Sequence, residues 1–312
     1  MSDLIPIEST NLDRIDQATA ELAADSISEA TKLAYHGDWT RFCAWLDTSD
    51  PLPISPEVVA RYVRALSDAG AKPSTIRRAI ASISVAHQVA GHESPCQTKL
   101  VRAVIGGAVR RAGLDGRARG AKPLTVGTLR SVISEVDGSA PPKSIRDKAL
   151  LLLGWSIAAR RSELVGLNLG DLDVGERGLT VTIMKSKTAQ HEAIEVPVPM
   201  ARDASMCAVH AVSAWVELLH TEDPESPLFR SVARGGGIAS HRLSDRAVDL
   251  IVKQRCGADY SAHSLRAGYV TSAAEAGEPS HAIMVVSRHR SHAMVAHYSR
   301  AADAWRSVPR LV

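Results

Sequence analysis

Four cysteines in 312 residues, Cys43, Cys96, Cys207 and Cys256, stand far apart and form no Cys-x-x-Cys pair. That pattern excludes a disulfide framework and a thiolate zinc site, and it reads as separate thiols in a reducing compartment. The chain also lacks a long apolar run. Ala149–Ala159 is the longest uncharged apolar run, well short of the roughly 20 residues a membrane-spanning helix requires. No basic segment followed by an apolar run opens the sequence, so no secretory signal is expected, and the expected location is cytoplasmic. There is no internal repeat and no long low-complexity tract. Gly235-Gly236-Gly237 has neither a strand before it nor Lys-Ser or Lys-Thr after it, so it reads as a turn or loop and gives no reason to expect ATP. Phenylalanine is scarce at two residues, although apolar residues overall make up an ordinary 45%.

Charge is nearly balanced at +3, but it is unevenly placed. Lys99 to Lys122 holds seven Lys or Arg against the single acid Asp115, and Arg288 to Arg310 holds five Arg against Asp303. Basic clusters of this kind suit a nucleic-acid backbone.

The length accommodates two domains. Residues 1–25 form a mixed polar extension. From Ser26 to Ala112 the pattern is helical throughout. Ser26 and Glu29 resemble a capping box ahead of the stripe Tyr35, Trp39, Phe42, Leu46. Ser55-Pro56-Glu57 opens a helix carrying Val59, Tyr62, Val63 and Leu66, and Lys72-Pro73-Ser74 opens another carrying Ile76, Ile80 and Ile83. A fourth helix is expected from about Gln97 to Arg111. Residues 113–122, GLDGRARGAK, read as a basic linker, because the glycines disfavour a helix and the charges keep it solvated. In the second domain, 123–312, helices are expected at Val126–Val136, Lys143–Ala159, Ala204–Leu219, Ser244–Gln254, Ser264–Ala276 and Pro279–Val286. Leu179, Val181 and Ile183 alternate with polar residues, as do Ile194, Val196 and Val198, which predicts a β-hairpin whose turn carries Lys185 and Lys187.

The densest chemistry lies between Ala262 and Arg300. His263-x-x-Arg266 opens a helix, His289 follows Arg266 by twenty-three residues, and Tyr298 follows His289 by nine. An arginine fork, two imidazoles and a phenol could converge on one phosphate. Such a site needs further cations, and Arg160, Lys185 and Lys187 lie upstream. His289, His292 and His297 have no Cys or carboxylate nearby to complete a metal shell, so no metal site is expected.

Arg160 sits in AARRSELVGLNLGDLDV, a phrase that resembles the first box of the tyrosine recombinases, the family of Xer, Cre and lambda integrase. There a Gly-Leu-Arg-x-Ser-Glu-Leu phrase supplies a catalytic arginine, which falls on Arg160, with Glu163 as its supporting acid. His263-Ser264-Leu265-Arg266 matches the second box, His289 the third-box histidine and Tyr298 the nucleophile. The resemblance covers essentially the whole chain. It implies a mainly α fold with a small β-sheet: a helical, SAM-like core-binding domain and an α+β catalytic domain that together clamp DNA.

The family also places a lysine on a hairpin turn, here Lys187 or, as the alternative, Lys185. Three positions depart from the pattern: Arg288 stands where relatives usually have glycine before the third-box histidine, Ala159 replaces the small-apolar pair before Arg160, and Ala267 follows Arg266 where relatives often have histidine. The implied chemistry is attack by Tyr298 on a DNA phosphodiester to form a 3′-phosphotyrosine. In it Arg160 and Arg266 neutralise charge, His263 acts as general base, His289 binds a non-bridging oxygen and a lysine protonates the leaving oxygen. No ATP, metal or other cofactor is implied, and exchange between two duplexes implies a homotetramer on two DNA sites.

Arg77, Arg78, Arg110, Arg111, Arg117, Arg119 and Lys122 are the expected DNA-backbone contacts. The short segment before Ser26 leaves no room for an arm-binding domain, which favours a simple recombinase. The tail after Tyr298 could pack on a neighbouring protomer or on its own domain. Two other readings are a type IB topoisomerase-like enzyme that cuts and reseals one strand, and a DNA-binding regulator of the same fold without catalysis.

Overall fold

A computed structural model describes residues 29–49, 51–114, 122–137, 141–184, 193–289, 291–292 and 294–296. The chain divides into two compact units, Met1–Gly120 and Ala121–Val312.

In the first unit the described elements are α1 (Glu29–Leu46), α2 (Pro56–Asp68), α3 (Pro73–Val89) and α4 (Lys99–Leu114), with a short 3-10 turn at Pro95–Gln97. α2 and α3 both begin on proline, whose fixed φ suits the first helical turn, and Ser55 accepts from the Val58 N–H as the α2 cap. Their stripes meet in a core of Phe42, Val59, Tyr62, Val63, Ile76, Ile83 and Val101. The Phe42 and Tyr62 rings meet edge to face at 4.8 Å. Asp38 is buried among these helices between Arg41 and Arg78, and Arg78 grips it through Nε at 2.6 Å and Nη2 at 3.2 Å. α4 continues through Gly113 to Leu114, past its expected end and into the segment read as linker.

The second unit is built around α6 (Lys143–Ser156), whose Ala149–Leu153 run is buried on every side. That is the physical meaning of the long uncharged stretch. Around it pack α5 (Val126–Asp137), α8 (Ala208–Glu217) and α10 (Ala262–Ala276); α9 (Asp245–Cys256) packs on α5, α10 and the short α7 (Arg161–Gly166), and α11 (Ser280–Ser287) packs on α10. The expected hairpin is β2 (Gly178–Met184) and β3 (Ala193–Pro199), antiparallel, with Leu179 opposite Val198, Val181 opposite Val196 and Ile183 opposite Ile194. A third strand, β1 (Leu172–Gly175), pairs on the other side of β2. Gly235-Gly236-Gly237 lies, as expected, in a turn, but a strand does precede it: the turn joins a small second hairpin, β4 (Arg230–Val232) with β5 (Ile238–Arg242).

Two ionic or polar ties and one close backbone approach fix the frame. Asp147 on α6 binds Arg146 beside it and Arg255 of α9, the latter at 2.7 Å. Arg242 donates to Val165 O at 2.6 Å and Leu167 O at 2.9 Å, and so caps the end of α7. Gly268 lets the backbone of Leu124 lie directly on α10, since a Cβ there would come within 1.8 Å of Leu124 O. Among the described residues no helix is long and apolar enough to cross a membrane.

Candidate active site

α6 stops at Ser156, short of the expected Ala159. Ala159 N–H donates to Gly154 O at 2.9 Å and Ala158 N–H to Trp155 O at 3.0 Å, while Ala158 adopts φ 45°. This is a Schellman stop with alanine in the left-handed place that glycine usually fills. The turn delivers Arg160, the N-cap of α7, to the surface with its side chain 47% exposed. Glu163, one turn on, accepts from the Arg160 N–H at 2.7 Å and from Arg160 Nη1 at 2.5 Å.

His263 and Arg266 lie in the first turn and a half of α10, and Arg266 is 2% exposed. Arg266 Nη1 donates to Ala158 O at 2.9 Å, so the left-handed turn that delivers Arg160 also holds the second arginine. α11 ends on Arg288, left-handed at φ 55° and ψ 36°, and presents His289 immediately after it. His289 is buried, and its Nδ1 lies 2.8 Å from the buried Ser287 hydroxyl.

The electrostatics confirm that these side chains share one neighbourhood. The His263 pKa is lowered by partial burial and then by the charges of Arg266 and Arg160. His289 is brought down to about 4 by burial, then by Arg266, Arg160, His263 and Arg288. Both imidazoles are therefore neutral at neutral pH without an anion between them. Burial alone would raise Glu163, but the charge of Arg288 and the bonds from Arg160 and Arg288 outweigh it and leave the carboxyl below its ordinary range. The net result is a cationic patch with two neutral imidazoles, fit to bind a tetrahedral anion and exchange a proton beside it.

A carboxylate behind the site ties its elements together. Asp249 of α9 accepts from Arg161 Nη1 at 2.8 Å and from the Ala262 N–H, at the start of α10, also at 2.8 Å. One side chain thus anchors both the residue after Arg160 and the helix that carries His263 and Arg266.

The structure brings together Arg160, Glu163, His263, Arg266 and His289 from the sequence reading. Lys185, Lys187, Tyr298, Arg117 and Arg119 lie outside the described residues. Arg77 and Arg110 are exposed on α3 and α4. Arg78 is engaged with Asp38, and Arg111 with Asp68 at 2.9 Å. Lys122 stands 5.3 Å from the Tyr260 ring centroid. Sequence reasoning missed Ser287 and Asp249, which no motif marks. It noted Arg288 only as a departure, with no hint that the side chain turns inward.

Residues 122–304 match the phage integrase family, and residues 15–94 match the phage integrase N-terminal SAM-like domain. A relative in Selenomonas ruminantium, described as an integrase/recombinase xerD homolog, is 32% identical over 300 residues, covering 92% of this chain and 86% of its own. The fold is similar to that of a lambda integrase dimer bound to a COC′ core site, with a TM-score of 0.64 at 16% identity over 94% of this chain and 77% of that one. It is likewise similar to a lambda integrase tetramer bound to a Holliday junction, with a TM-score of 0.62 at 16% identity over 94% and 77%.

Proposed function

Because the chain belongs to the phage integrase family of tyrosine recombinases, we propose that it cuts and rejoins double-stranded DNA at specific sites through a 3′-phosphotyrosine intermediate. The observation that carries this reading is the convergence of Arg160, His263, Arg266 and His289 from three separate elements onto one patch, with both imidazoles uncharged.

A phosphodiester repels nucleophiles through its own charge, so a site without a metal must neutralise that charge with fixed cations. Arg160 and Arg266 do so by donating to the non-bridging oxygens. His289 adds a further donor from Nε2, with the Ser287 hydroxyl donating to its Nδ1 and so fixing that tautomer. The Tyr298 oxygen attacks phosphorus as its proton passes to His263, the P–O5′ bond breaks, and Lys187, or Lys185 in its place, protonates the departing oxygen. A 5′ hydroxyl from the same or another strand reverses the step, so bond energy is conserved and neither ATP nor a divalent ion is consumed.

Exchange between duplexes requires a homotetramer on two DNA sites. The residues from Ser26 to Ala112 act as a DNA-binding domain and those from Pro123 onward as the catalytic domain. Arg77, Arg78, Arg110, Arg111, Arg117, Arg119 and Lys122 provide contacts to phosphates. A DNA substrate accords with the expected cytoplasmic location.

The test mixes the purified protein with sheared genomic DNA from its source in EDTA and without nucleotide, denatures the mixture and recovers the DNA that stays attached. Wild-type protein is expected to retain DNA and Tyr298→Phe to retain none. Binding without covalent capture, even on nicked duplexes that trap the intermediate, would leave a DNA-binding protein and overturn the enzymatic reading.

A further inference from the structure

Arg288 occupies a position where relatives usually carry glycine, and its backbone explains the preference: φ is 55° and ψ 36°, the left-handed region that glycine enters freely. An arginine there must be held by something. Its side chain is turned inward and is 7% exposed. Nη1 donates to Ile157 O at 2.9 Å and Val286 O at 2.5 Å, and Nη2 donates to Glu163 Oε2 at 2.6 Å and Ala158 O at 3.4 Å. Among the described residues, only its Nε is buried with no partner.

The acceptors have a common character. Ile157, Ala158 and Val286 lie at the C-terminal ends of α6 and α11, where unpaired carbonyls gather partial negative charge. Left bare, those ends would oppose an anion bound beside them. The remaining acceptor, Glu163, is the carboxylate that also holds Arg160. Two further contacts close the circuit. The Arg288 carbonyl accepts from Arg160 Nη2 at 3.2 Å, and Ala158 O is shared with Arg266 Nη1. Arg288 therefore touches the supports of both arginines that face the substrate while its own guanidinium is held by the protein.

We propose that Arg288 is a positioning residue: a third guanidinium that neutralises Glu163 and two helix C-termini, so that Arg160 and Arg266 keep their geometry and present their full charge to the DNA phosphate. This rests on the recombinase reading of the site. It makes the Gly-to-Arg departure a working part of this chain's chemistry, with a cation where the family pattern has only a permissive backbone.

The test uses a nicked duplex carrying a site recovered from the wild-type adducts, with cleavage followed in single turnover at saturating protein across pH. Arg288→Gly suits the left-handed backbone and removes only the side chain. In the folded protein, at temperatures well below its melting point, it is expected to slow cleavage about 10- to 100-fold, as small misplacements of reacting groups do, while DNA affinity holds. The acid limb of its rate profile should move to higher pH, because Glu163 loses the charge that most opposes the effect of its burial. Arg288→Lys, which keeps the charge, should recover part of the rate. Cleavage by Arg288→Gly at the wild-type rate with an unchanged profile overturns the proposal. So does a loss that follows DNA affinity or melting temperature alone and that lysine fails to relieve. A wild-type protein that forms no adduct fails at the earlier step and removes the recombinase reading along with this one.

Discussion

Two carboxylates in the second unit each hold a pair of arginines, and the pairs differ in where their charge points. Asp147 is closed off: its own side chain is 1% exposed and its partners Arg146 and Arg255 are 4% and 15% exposed. Every charge in that group is directed at another, and the group's product is the fixed distance between α6 and α9. Glu163 also has one inward partner, Arg288, but its other, Arg160, is 47% exposed. One guanidinium satisfies the carboxylate from behind and the other is held by it with donors to spare. The same ion triad thus acts as a brace in one place and as a mount in the other, and solvent access to one arginine makes the difference.

The brace is the more costly of the two to break. Asp147→Ala leaves two largely buried guanidinium groups unpaired and should cost about 3–5 kcal/mol of stability, read as a lower urea midpoint and melting temperature. The protein that remains folded should cleave DNA at its usual rate, because no partner of Asp147 reaches the site. Glu163→Gln is the converse. The amide keeps the shape but not the charge, so single-turnover cleavage should slow about 10-fold or more through lost orientation of Arg160, with a smaller loss of melting temperature than Asp147→Ala causes, because the amide oxygen can still accept from Arg160 and Arg288. Similar losses of stability from the two substitutions would erase the distinction.

A third effect, on the order of 1–3 kcal/mol, sharpens the description of the site as cationic. His289 has a folded pKa of about 4 against an ordinary 6.5. Between those values the unfolded chain takes up a proton that the folded chain refuses. Stability is therefore complete above pH 6.5 and falls as pH drops toward 4, and His263, lowered for related reasons, adds to the same slope. Urea denaturation at a series of pH values should show this decline, and His289→Gln should flatten it.

Much of this arrangement was legible in the sequence because it depends on period and spacing. The stripes Val59, Tyr62, Val63 and Ile76, Ile80, Ile83 are helical and buried, and the alternation at Leu179, Val181 and Ile183 is a strand with one buried face. The order Arg160, His263, Arg266, His289 gave the family before any geometry did. What remained hidden depends on contacts between distant residues. β1 and β4 are four and three residues long, too short for alternation to show. The end of α6 was misplaced because nothing in Ile-Ala-Ala announces a left-handed residue at Ala158. The tie between Arg78 and Asp38, forty residues apart, was equally invisible in the sequence. Arg288 could be recognised as unusual from its position in the motif. Its role depends on carbonyls at the ends of two helices, and only the folded chain puts those within its reach.

On the proposed reading, these helices let one phenol, that of Tyr298, take over a DNA phosphate. The most direct measurement digests the denatured protein–DNA adduct with protease and nuclease and locates the nucleotide-bearing residue by mass spectrometry. A nucleotide 3′-phosphate on Tyr298 is the predicted result. The same modification on another residue, or an adduct that survives Tyr298→Phe, would contradict it.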